Sequence, residues 1–386
     1  EATYLHTRVL SLARDNCPFT PEPTKAERAG AQWVSPSLVC EVAFSEWTGD
    51  GRVRHPSFQG LRGDTPAARV TRETPAVGPL RTAPSAAARL SGITITHPDR
   101  VVYPESGLTK LQVAQYLQDA GDWILPHLID RPLTLVRCPR GLAHPCHFMK
   151  HSMPSAPPAL RRVDIPEATG TETFLVVDDA AGTAALGQMG VLEIHNWNAR
   201  AREIERPDRV VFDLDPGDRV PWRDVVNAAR LVHAALQALD LEAFVKTTGG
   251  NGLHVVVPLT PAADWDACLD FTKALAGHLE RADPRRLTTG FRKAGRADKI
   301  LLDYVRNSRG STAIAPYSMR ARPSGGVSTP VTWDELDQIE RGDHFTLTTI
   351  GHRLAGLRQD PWRGFLRHRQ RLTPTRCRAV HDVRLG

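Results

Sequence analysis

The sequence predicts a mixed α/β (α+β) protein in which helices flank a mixed central β-sheet, preceded by a small, partial β-barrel-like segment. Beyond residue 92, short apolar runs alternate with longer stretches of helical periodicity. Residues 65–91 contain four prolines and many alanines but few large apolar residues, which is typical of a linker. Residues 1–64 show the two-residue alternation of strands instead.

The bulk composition indicates a globular chain with a basic bias. Its 386 residues include 49 Lys and Arg against 43 Asp and Glu, which fits a polyanionic partner and also many proteins without one. No apolar stretch approaches the ~20 residues that a membrane helix needs, and no signal-peptide pattern occurs. We therefore expect a cytoplasmic protein without a membrane partner. Because the chain begins with Glu1 rather than Met, we interpret it as a piece of a longer protein.

Six scattered cysteines are fewer than a disulfide scaffold needs, and we expect them to be reduced, as in a cytosol. Cys138, His144, Cys146 and His147 could form a zinc site, but their spacing matches no common zinc finger. A loop rich in Pro and Gly explains these four residues better.

Residues 1–64 predict a β-hairpin within an incomplete β-rich unit. An alternating run passes through Val39 and Phe44, a Thr-Gly-Asp-Gly turn follows, and a second run starts at Val53. So few strands rarely form a stable core alone.

The first half of the α/β region predicts two strands and two helices. Thr109 is a candidate N-cap for a helix that runs to Trp123, and a strand follows at 131–137. A second strand covers 173–178 and leads into a helix of small residues through Leu186.

The second half predicts a strand at 208–215, an amphipathic helix at 221–240, and the hairpin "AFVKTT"–"GGNG"–"LHVVVPL". A long helix through Leu275 and a strand at 299–305 complete one domain, which we place at 92–370. Nine arginines after residue 352 predict a solvated face and a basic tail at 371–386, or a nucleic-acid contact.

Two aspartates in "VVFDLDPGD" are candidate metal ligands. Side chains two positions apart on a strand point to the same face, so Asp213 and Asp215 project together. Hard divalent cations such as Mg²⁺ or Mn²⁺ suit an all-oxygen site. The alternative is that Asp215 belongs only to a Pro-Gly turn and that Asp213 is an edge residue.

A third carboxylate, Asp303, interrupts the apolar strand "ILLDYV". If this strand neighbours that of Asp213, three carboxylates converge as a two-metal phosphoryl-transfer site requires. The alternative partner of Asp303 is a nearby arginine such as Arg306.

Groups suited to a triphosphate occur around these acids. "KTTGGNGLH" supplies hydroxyls, glycines whose N–H groups can approach an anion, and His254, although a hairpin turn predicts the same letters. Taken alone, His195 would be interpreted as a core residue, and Lys299 and Arg320 as surface cations.

Taken in order, these motifs resemble the polymerase domain of bacterial DNA ligase D, within the archaeo-eukaryotic primase superfamily. The resemblance covers about residues 92–370. Residues 1–64 are similar to the end of the oligonucleotide-binding-fold domain of an ATP-dependent DNA ligase. The matching segments are "HPDRVVYPESGLTK", "LEIHNWNAR", "RVVFDLDPG", "KTTGGNGLH", "KILLDYVRNSRGSTAIAPYSMR" and "DPW".

The resemblance implies a nucleotidyltransferase that extends 3′ ends at gaps and double-strand breaks during non-homologous end joining, with ribonucleotides preferred. It assigns two Mn²⁺ or Mg²⁺ ions to Asp213, Asp215 and Asp303. It assigns the incoming NTP or dNTP to His195, Thr248, His254, Lys299, Arg320 and Arg296.

It further implies that His97, Arg100 and Lys110 bind the 5′-phosphate of a gapped duplex, and that Phe148 stacks on the template base. DNA ends are the implied partner, Ku is a candidate partner, and a nucleoid-associated monomer is expected. Ligation by this chain is not expected, because no Lys-x-Asp-Gly motif occurs.

Two other functions stay open from the residues alone. A Mn²⁺-dependent glycosyltransferase also uses Asp-x-Asp, but it predicts no role for Asp303, Arg100 or Lys110. A DNA-end-binding module with a decayed acidic site predicts end binding without nucleotide incorporation.

Overall fold

The structure, a computed structural model, describes residues 9–19, 22–24, 28, 30–43, 46–47, 53–54, 57–62, 67, 88–168, 170–292 and 295–383. The chain divides into two compact units, Glu1–Leu80 and Arg81–Gly386. No helix in the described residues is both long and apolar enough to cross a lipid bilayer.

The smaller unit consists of short strands in antiparallel pairs. They are β1 (Ala13–Arg14), β2 (Trp33–Val34), β3 (Val39–Ala43), β4 (Glu46–Trp47), β5 (Val53–Arg54) and β6 (Ser57–Arg62). β1 pairs with β2, and the β4–β5 pair is nested within the β3–β6 pair, as the predicted hairpin requires. The predicted turn and Phe44 lie outside the described residues. Within the described part, these pairs do not close into a barrel.

The larger unit contains the remaining strands. They are β7 (Ala88–Leu90), β8 (Ile93–Ile95), β9 (Val101–Tyr103), β10 (Leu108–Thr109), β11 (Leu133–Arg137), β12 (His147–Met149), β13 (Arg161–Glu167), β14 (Gly170–Val176), β15 (Val191–Asn196), β16 (Arg209–Pro216), β17 (Phe244–Thr247), β18 (Leu253–Pro258), β19 (Leu287–Thr288), β20 (Ile300–Asp303), β21 (Ala313–Ile314) and β22 (Pro330–Val331).

Helices pack on the outer faces of the sheets. They are α1 (Lys110–Asp119), α2 (Gly121–Leu128), α3 (Ala180–Gln188), α4 (Trp222–Ala238), α5 (Trp265–Ala282), α6 (Ile350–Gly356) and α7 (Pro374–Ala379). Short 3₁₀ turns cover Ala201–Glu203, Val305–Asn307, Asp334–Gln338, Phe365–Arg367 and Val380–Asp382.

The first large sheet has the order β13-β14-β11-β15-β21, with β12 paired to β11 beside β14. Its core is covered by α1 and α3. Thr109 caps α1 through a capping box with Gln112, which satisfies two free backbone N–H groups. The predicted helix from Thr109 to Trp123 is divided at Ala120 into α1 and α2.

The second large sheet has the order β19-β20-β16-β18-β17-β22, and β19–β20 is its parallel pair. Val210, Phe212 and Leu214 of β16 join the core that includes buried residues of α4 and α5. Because successive side chains alternate between the two faces of a strand, Asp213 and Asp215 project from the opposite face. That face carries the site described below.

Two segments differ from the sequence-based domain boundaries. Residues 88–90, placed in the linker, form β7, because Leu90 packs with Ile95 of β8 against Ala184. Residues 371–383, placed in a basic tail, form α7 and a 3₁₀ turn whose Val380 is buried in the core with α5. Most of the remaining linker lies outside the described residues.

Candidate functional site

Three carboxylates converge on one face of the second sheet. Asp213 of β16 and Asp303 of β20 are direct cross-strand partners, so the strands are neighbours as the sequence required for convergence. Asp215 lies two positions further along β16 and points to the same face. On the other side of Asp213, the cross-strand partner is His254 of β18.

Arginine side chains form ion pairs with these carboxylates. Nε of Arg306 lies 3.2 Å from Oδ2 of Asp213 and 3.1 Å from Oδ2 of Asp303. Nη2 of Arg296 lies 2.9 Å from Oδ2 of Asp215. The arginine that the sequence offered as an alternative partner of Asp303 therefore bridges two of the three acids.

The carboxylates carry more negative charge than Arg306 balances. Burial raises the pKa of the Asp303 carboxyl, and Asp213 adds to the rise although Arg306 opposes it. Burial also favours a higher pKa for Asp213, but His254 and Arg306 outweigh it and hold that pKa below its usual range. An all-oxygen set with excess negative charge fits a hard divalent cation.

A metal ion would need a rearrangement of this site. Within the part of the chain that the structure describes, no three His, Cys, Asp or Glu side chains are already arranged to hold an ion. The guanidinium of Arg306 stands between two candidate ligands, and its side chain is 43% exposed. The carboxylates would fit a metal ion only if Arg306 moved away from them.

A polar cleft of about 200 Å³ opens beside Asp213, between the two large sheets. It brings together six of the predicted site residues, namely His195, Asp213, Asp215, Thr248, His254 and Arg320. Its other lining residues are Asn251, Gly252, Arg306, Thr312, Ala313, Ile314 and Arg322.

The glycine-rich turn between β17 and β18 forms one wall of the cleft. The hydroxyl Oγ1 of Thr248 accepts hydrogen bonds from the N–H groups of Gly250 (3.2 Å) and Gly252 (3.1 Å). A Cβ on Gly252 would lie 2.1 Å from the carbonyl oxygen of Leu214, so only glycine fits beside β16. The glycine-rich segment is therefore a hairpin turn and also lines the cleft, so the two interpretations of its sequence are compatible.

Glu193 orients His195 and Arg320 on the opposite wall, and no motif in the sequence pointed to this acid. Its carboxylate contacts Nε2 of His195 (2.8 Å) and Nε of Arg320 (3.1 Å). These contacts lower the pKa of Glu193 to about 2 although burial opposes the shift. The one indication in the sequence was its position, because Glu193 lies two positions before His195 and so points to the same strand face.

Two other basic side chains, behind and beside the cleft, were also missed. Nη1 of Arg322 donates to Oδ1 of Asn251 (3.1 Å). Lys246, the cross-strand partner of His254, is buried and donates to the hydroxyl of Ser328. Burial holds the pKa of Lys246 well below its ordinary value.

Lys299 is not brought into the cleft by the structure. Its Nζ donates to the carbonyl oxygen of Pro284 (2.7 Å), although the resemblance assigned Lys299 to the incoming triphosphate. Lys299 directly precedes β20, and its hydrogen bond to Pro284 accounts for the position of its side chain outside the cleft. Arg296 contacts Asp215 but does not line the cleft either.

The predicted 5′-phosphate residues form a separate group around α1. The N–H of Arg100 donates to the His97 carbonyl (3.1 Å), and the N–H of Lys110 donates to the Arg100 carbonyl (2.8 Å). Nζ of Lys110 donates to the carbonyl of Thr96 (3.0 Å) and to Oε1 of Gln188 (2.9 Å). Burial, followed by the charge of Arg100, lowers the pKa of Lys110 to about 8.

Phe148 is displayed on the β11–β12 hairpin with 70% of its surface exposed. At the neck of this hairpin Cys138 and Cys146 form a disulfide, with a Cα–Cα distance of 4.3 Å. The expectation of fully reduced cysteines is therefore wrong for this pair, because antiparallel pairing brings the two residues together. Their sulfurs are also not available for the zinc site that the sequence left open.

Comparisons with known proteins place the two parts of the chain in two families. A family model described as "LigD, primase-polymerase domain" matches residues 109–362. A second model, "ATP dependent DNA ligase C terminal region", matches residues 1–65.

Two similar proteins carry the name "Multifunctional non-homologous end joining protein LigD". That of Pseudomonas aeruginosa is 38% identical over 373 residues, which cover 95% of this chain and 44% of that protein. That of Mycolicibacterium smegmatis is 36% identical over 254 residues, which cover 65% of this chain and 33% of that protein. The chain therefore spans less than half the length of these relatives.

A similar solved structure is the "Polymerase Domain from Mycobacterium tuberculosis Ligase D in complex with DNA". It is 33% identical to this chain with a TM-score of 0.64, and the match covers 68% of this chain and 94% of that one. The match therefore extends over nearly all of the solved domain.

Proposed function

The chain belongs to the LigD primase-polymerase family, and from this premise we propose that it extends 3′ ends at gaps and double-strand breaks in bacterial non-homologous end joining. The domain of this family is a polymerase of the nucleotidyltransferase type. The ligase module is only partly present in this chain. A glycosyltransferase is excluded by the family match.

One observation carries the proposal: Asp213 and Asp303 face each other across β16 and β20, directly beside a cationic cleft. Polymerase domains of this family depend on metal ions. We propose that Asp213, Asp215 and Asp303 hold two ions of Mn²⁺ or Mg²⁺. Bound there, the ions would activate the attacking 3′-hydroxyl and neutralise phosphate charge.

The cleft residues would hold the incoming nucleotide. Glu193 keeps Arg320 and His195 in place, and both side chains face the cleft. Arg320 would supply the positive charge and His195 a hydrogen bond. Thr248 keeps the glycine turn closed by accepting hydrogen bonds from the N–H groups of Gly250 and Gly252, so that the turn and His254 can lie against the triphosphate. In our proposal, Lys299 reaches the phosphates only after its hydrogen bond to Pro284 breaks. Arg296 reaches them only after its ion pair with Asp215 breaks.

A second group of residues would position the DNA. Arg100 and Lys110, with His97 beside them, would bind the 5′-phosphate on the far side of a gap and so set the register of the duplex. Phe148 would stack on a template base, which its exposed position allows. Both contacts would orient the DNA without reading its sequence.

The finer properties are also proposals. We propose that ribonucleotides are preferred over deoxyribonucleotides, that the chain acts as a monomer at the nucleoid in the cytoplasm, and that Ku is a partner. A catalytically decayed end-binding module remains the second candidate, because Arg306 and Arg296 now occupy the carboxylates. Nucleotide incorporation separates these two functions.

The test is primer extension on a gapped, 5′-phosphorylated duplex with each NTP and dNTP, in Mn²⁺ or Mg²⁺. We expect template-dependent extension by the wild type and its loss in Asp213→Asn. The matched control is Asp218→Asn, which removes the same charge from an exposed turn just beyond β16. DNA binding without extension by the wild type under either metal would establish the decayed module instead.

A further inference from the structure

A cluster of arginines lies at the opposite end of β16 from Asp213. Arg209 begins this strand, and the guanidinium groups of Arg131, Arg200 and Arg209 surround the single carboxylate of Asp208. Nε of Arg200 is 3.3 Å from Oδ2, and Nε of Arg209 is 3.5 Å from Oδ1. The cluster therefore has three positive charges around one negative charge.

This excess charge is buried, which is costly unless a counter-ion compensates it. The Arg131 side chain is 0% exposed and that of Arg209 is 4% exposed. Burial and Arg131 lower the pKa of Arg209 to about 9, despite the opposing attraction of Asp208. Nε of Arg209 has no hydrogen-bond partner in the described residues, since 3.5 Å is too long for a good hydrogen bond.

The cluster opens into a cleft of about 220 Å³. Five arginines and two acids line it. Arg200 and Arg209 belong to the cluster, and Arg202, Arg206 and Arg369 are the other three arginines. The side chain of Arg206 makes no hydrogen bond or ion pair with another described residue. Arg209, whose buried Nε is unused, and Arg206, whose side chain is unpaired among the described residues, thus line the same cleft.

Guanidinium groups bind phosphate oxygens with paired, charge-assisted hydrogen bonds, whereas apolar ligands would leave these donors unused. We propose that this cleft binds a phosphate group, either of a DNA backbone or of free phosphate. None of its lining residues lines the cleft at Asp213, so this site goes beyond the proposed polymerase reaction. It is also distinct from the group formed by Arg100 and Lys110.

The variant Arg202→Ala/Arg206→Ala tests the site, because both side chains are exposed and the buried cluster stays intact. The matched control is Arg223→Ala/Arg358→Ala, which removes two exposed arginines outside the cleft. The first measurement is thermal unfolding of the full chain in inorganic phosphate against chloride at equal ionic strength. The second is binding of a blunt duplex with 5′-hydroxyl ends at several salt concentrations.

If the source is DNA, the cleft variant should bind the duplex about tenfold more weakly than the control. The slope of its log affinity against log salt concentration should correspond to about two fewer released counter-ions. If the source is free phosphate, only the phosphate-induced rise in Tm should be lost. Behaviour equal to the control in both measurements would overturn the proposal. Neither measurement requires nucleotide incorporation, so failure of the polymerase proposal is recognised separately.

Discussion

Asp213 and Asp303 are direct cross-strand partners on β16 and β20, although they are far apart in the sequence. Residues that face each other in an antiparallel pair bring their side chains within about 5.5 Å. Two like charges at that distance repel each other unless a cation lies between them. Arg306 has that position in the structure, and a divalent ion is proposed to replace it.

Removing Asp303 should abolish nucleotide transfer. Asp303→Ala deletes one ligand of the proposed ions, and we expect kcat for primer extension to fall on the order of 100-fold or more. Asp218→Asn is the control with near-normal activity. Extension within a factor of two of the wild type would remove Asp303 from the metal site.

Replacing Arg306 should make the stability of the protein depend more strongly on a bound metal ion. In Arg306→Gln, the repulsion between Asp213 and Asp303 loses its counter-charge, so we expect Tm in EDTA to fall by about 2–4 °C. Without nucleotide, Mn²⁺ should bind several-fold more tightly, because no guanidinium competes for the carboxylates.

Arg219→Gln is the control for that change, because Arg219 pairs with the exposed Asp298. Calorimetry and metal titration measure both quantities. If Tm in EDTA and the affinity for Mn²⁺ are both unchanged in Arg306→Gln, Arg306 does not occupy the position of the ion.

The preference for a 5′-phosphate should weaken as pH rises. The pKa of Lys110 is lowered to about 8, so its ammonium is protonated below pH 8 and loses its charge as pH rises through that value. Affinity for a 5′-phosphorylated gap should therefore decrease between pH 7 and pH 9, relative to the same gap with a 5′-hydroxyl. A constant ratio of the two dissociation constants would separate Lys110 from the phosphate.

The hydroxyl of Thr248 should matter more than its methyl group. Thr248→Val leaves the N–H groups of Gly250 and Gly252 without their acceptor, and we expect KM for the nucleotide to rise about tenfold. Thr248→Ser keeps the acceptor and should stay near the wild-type value. Equal KM values in the two variants would show that the loop does not depend on this hydroxyl.

Phe148 should contribute to DNA binding without contributing to stability. Because its ring is mostly exposed, Phe148→Ala should leave Tm unchanged while weakening binding to a gapped duplex roughly 5- to 100-fold, the range for one lost stack. Phe291→Ala removes another exposed ring and serves as the control. Binding of Phe148→Ala at the wild-type affinity would contradict the stacking role.

Local patterns were sufficient for much of the fold. The strand at 208–215, the helix at 221–240 and the hairpin around "GGNG" agree with β16, α4 and the β17–β18 pair. Periodicity also placed Asp213 and Asp215 on one face, because the direction of a side chain depends on its own strand. Residues 371–383 differ from the predicted tail, because Val380 packs into the core. The many arginines of this segment had indicated a solvated surface instead.

The sequence by itself determined the chemical groups of the site and which of them share a strand face. Only the tertiary structure decided that Asp303 is paired with Asp213, that Glu193 joins His195 to Arg320, and that Lys299 turns to Pro284. It also joined Cys138 to Cys146 and placed Arg131 beside Asp208. The physical reason is that strand order and register follow from packing between distant segments, which no local period encodes.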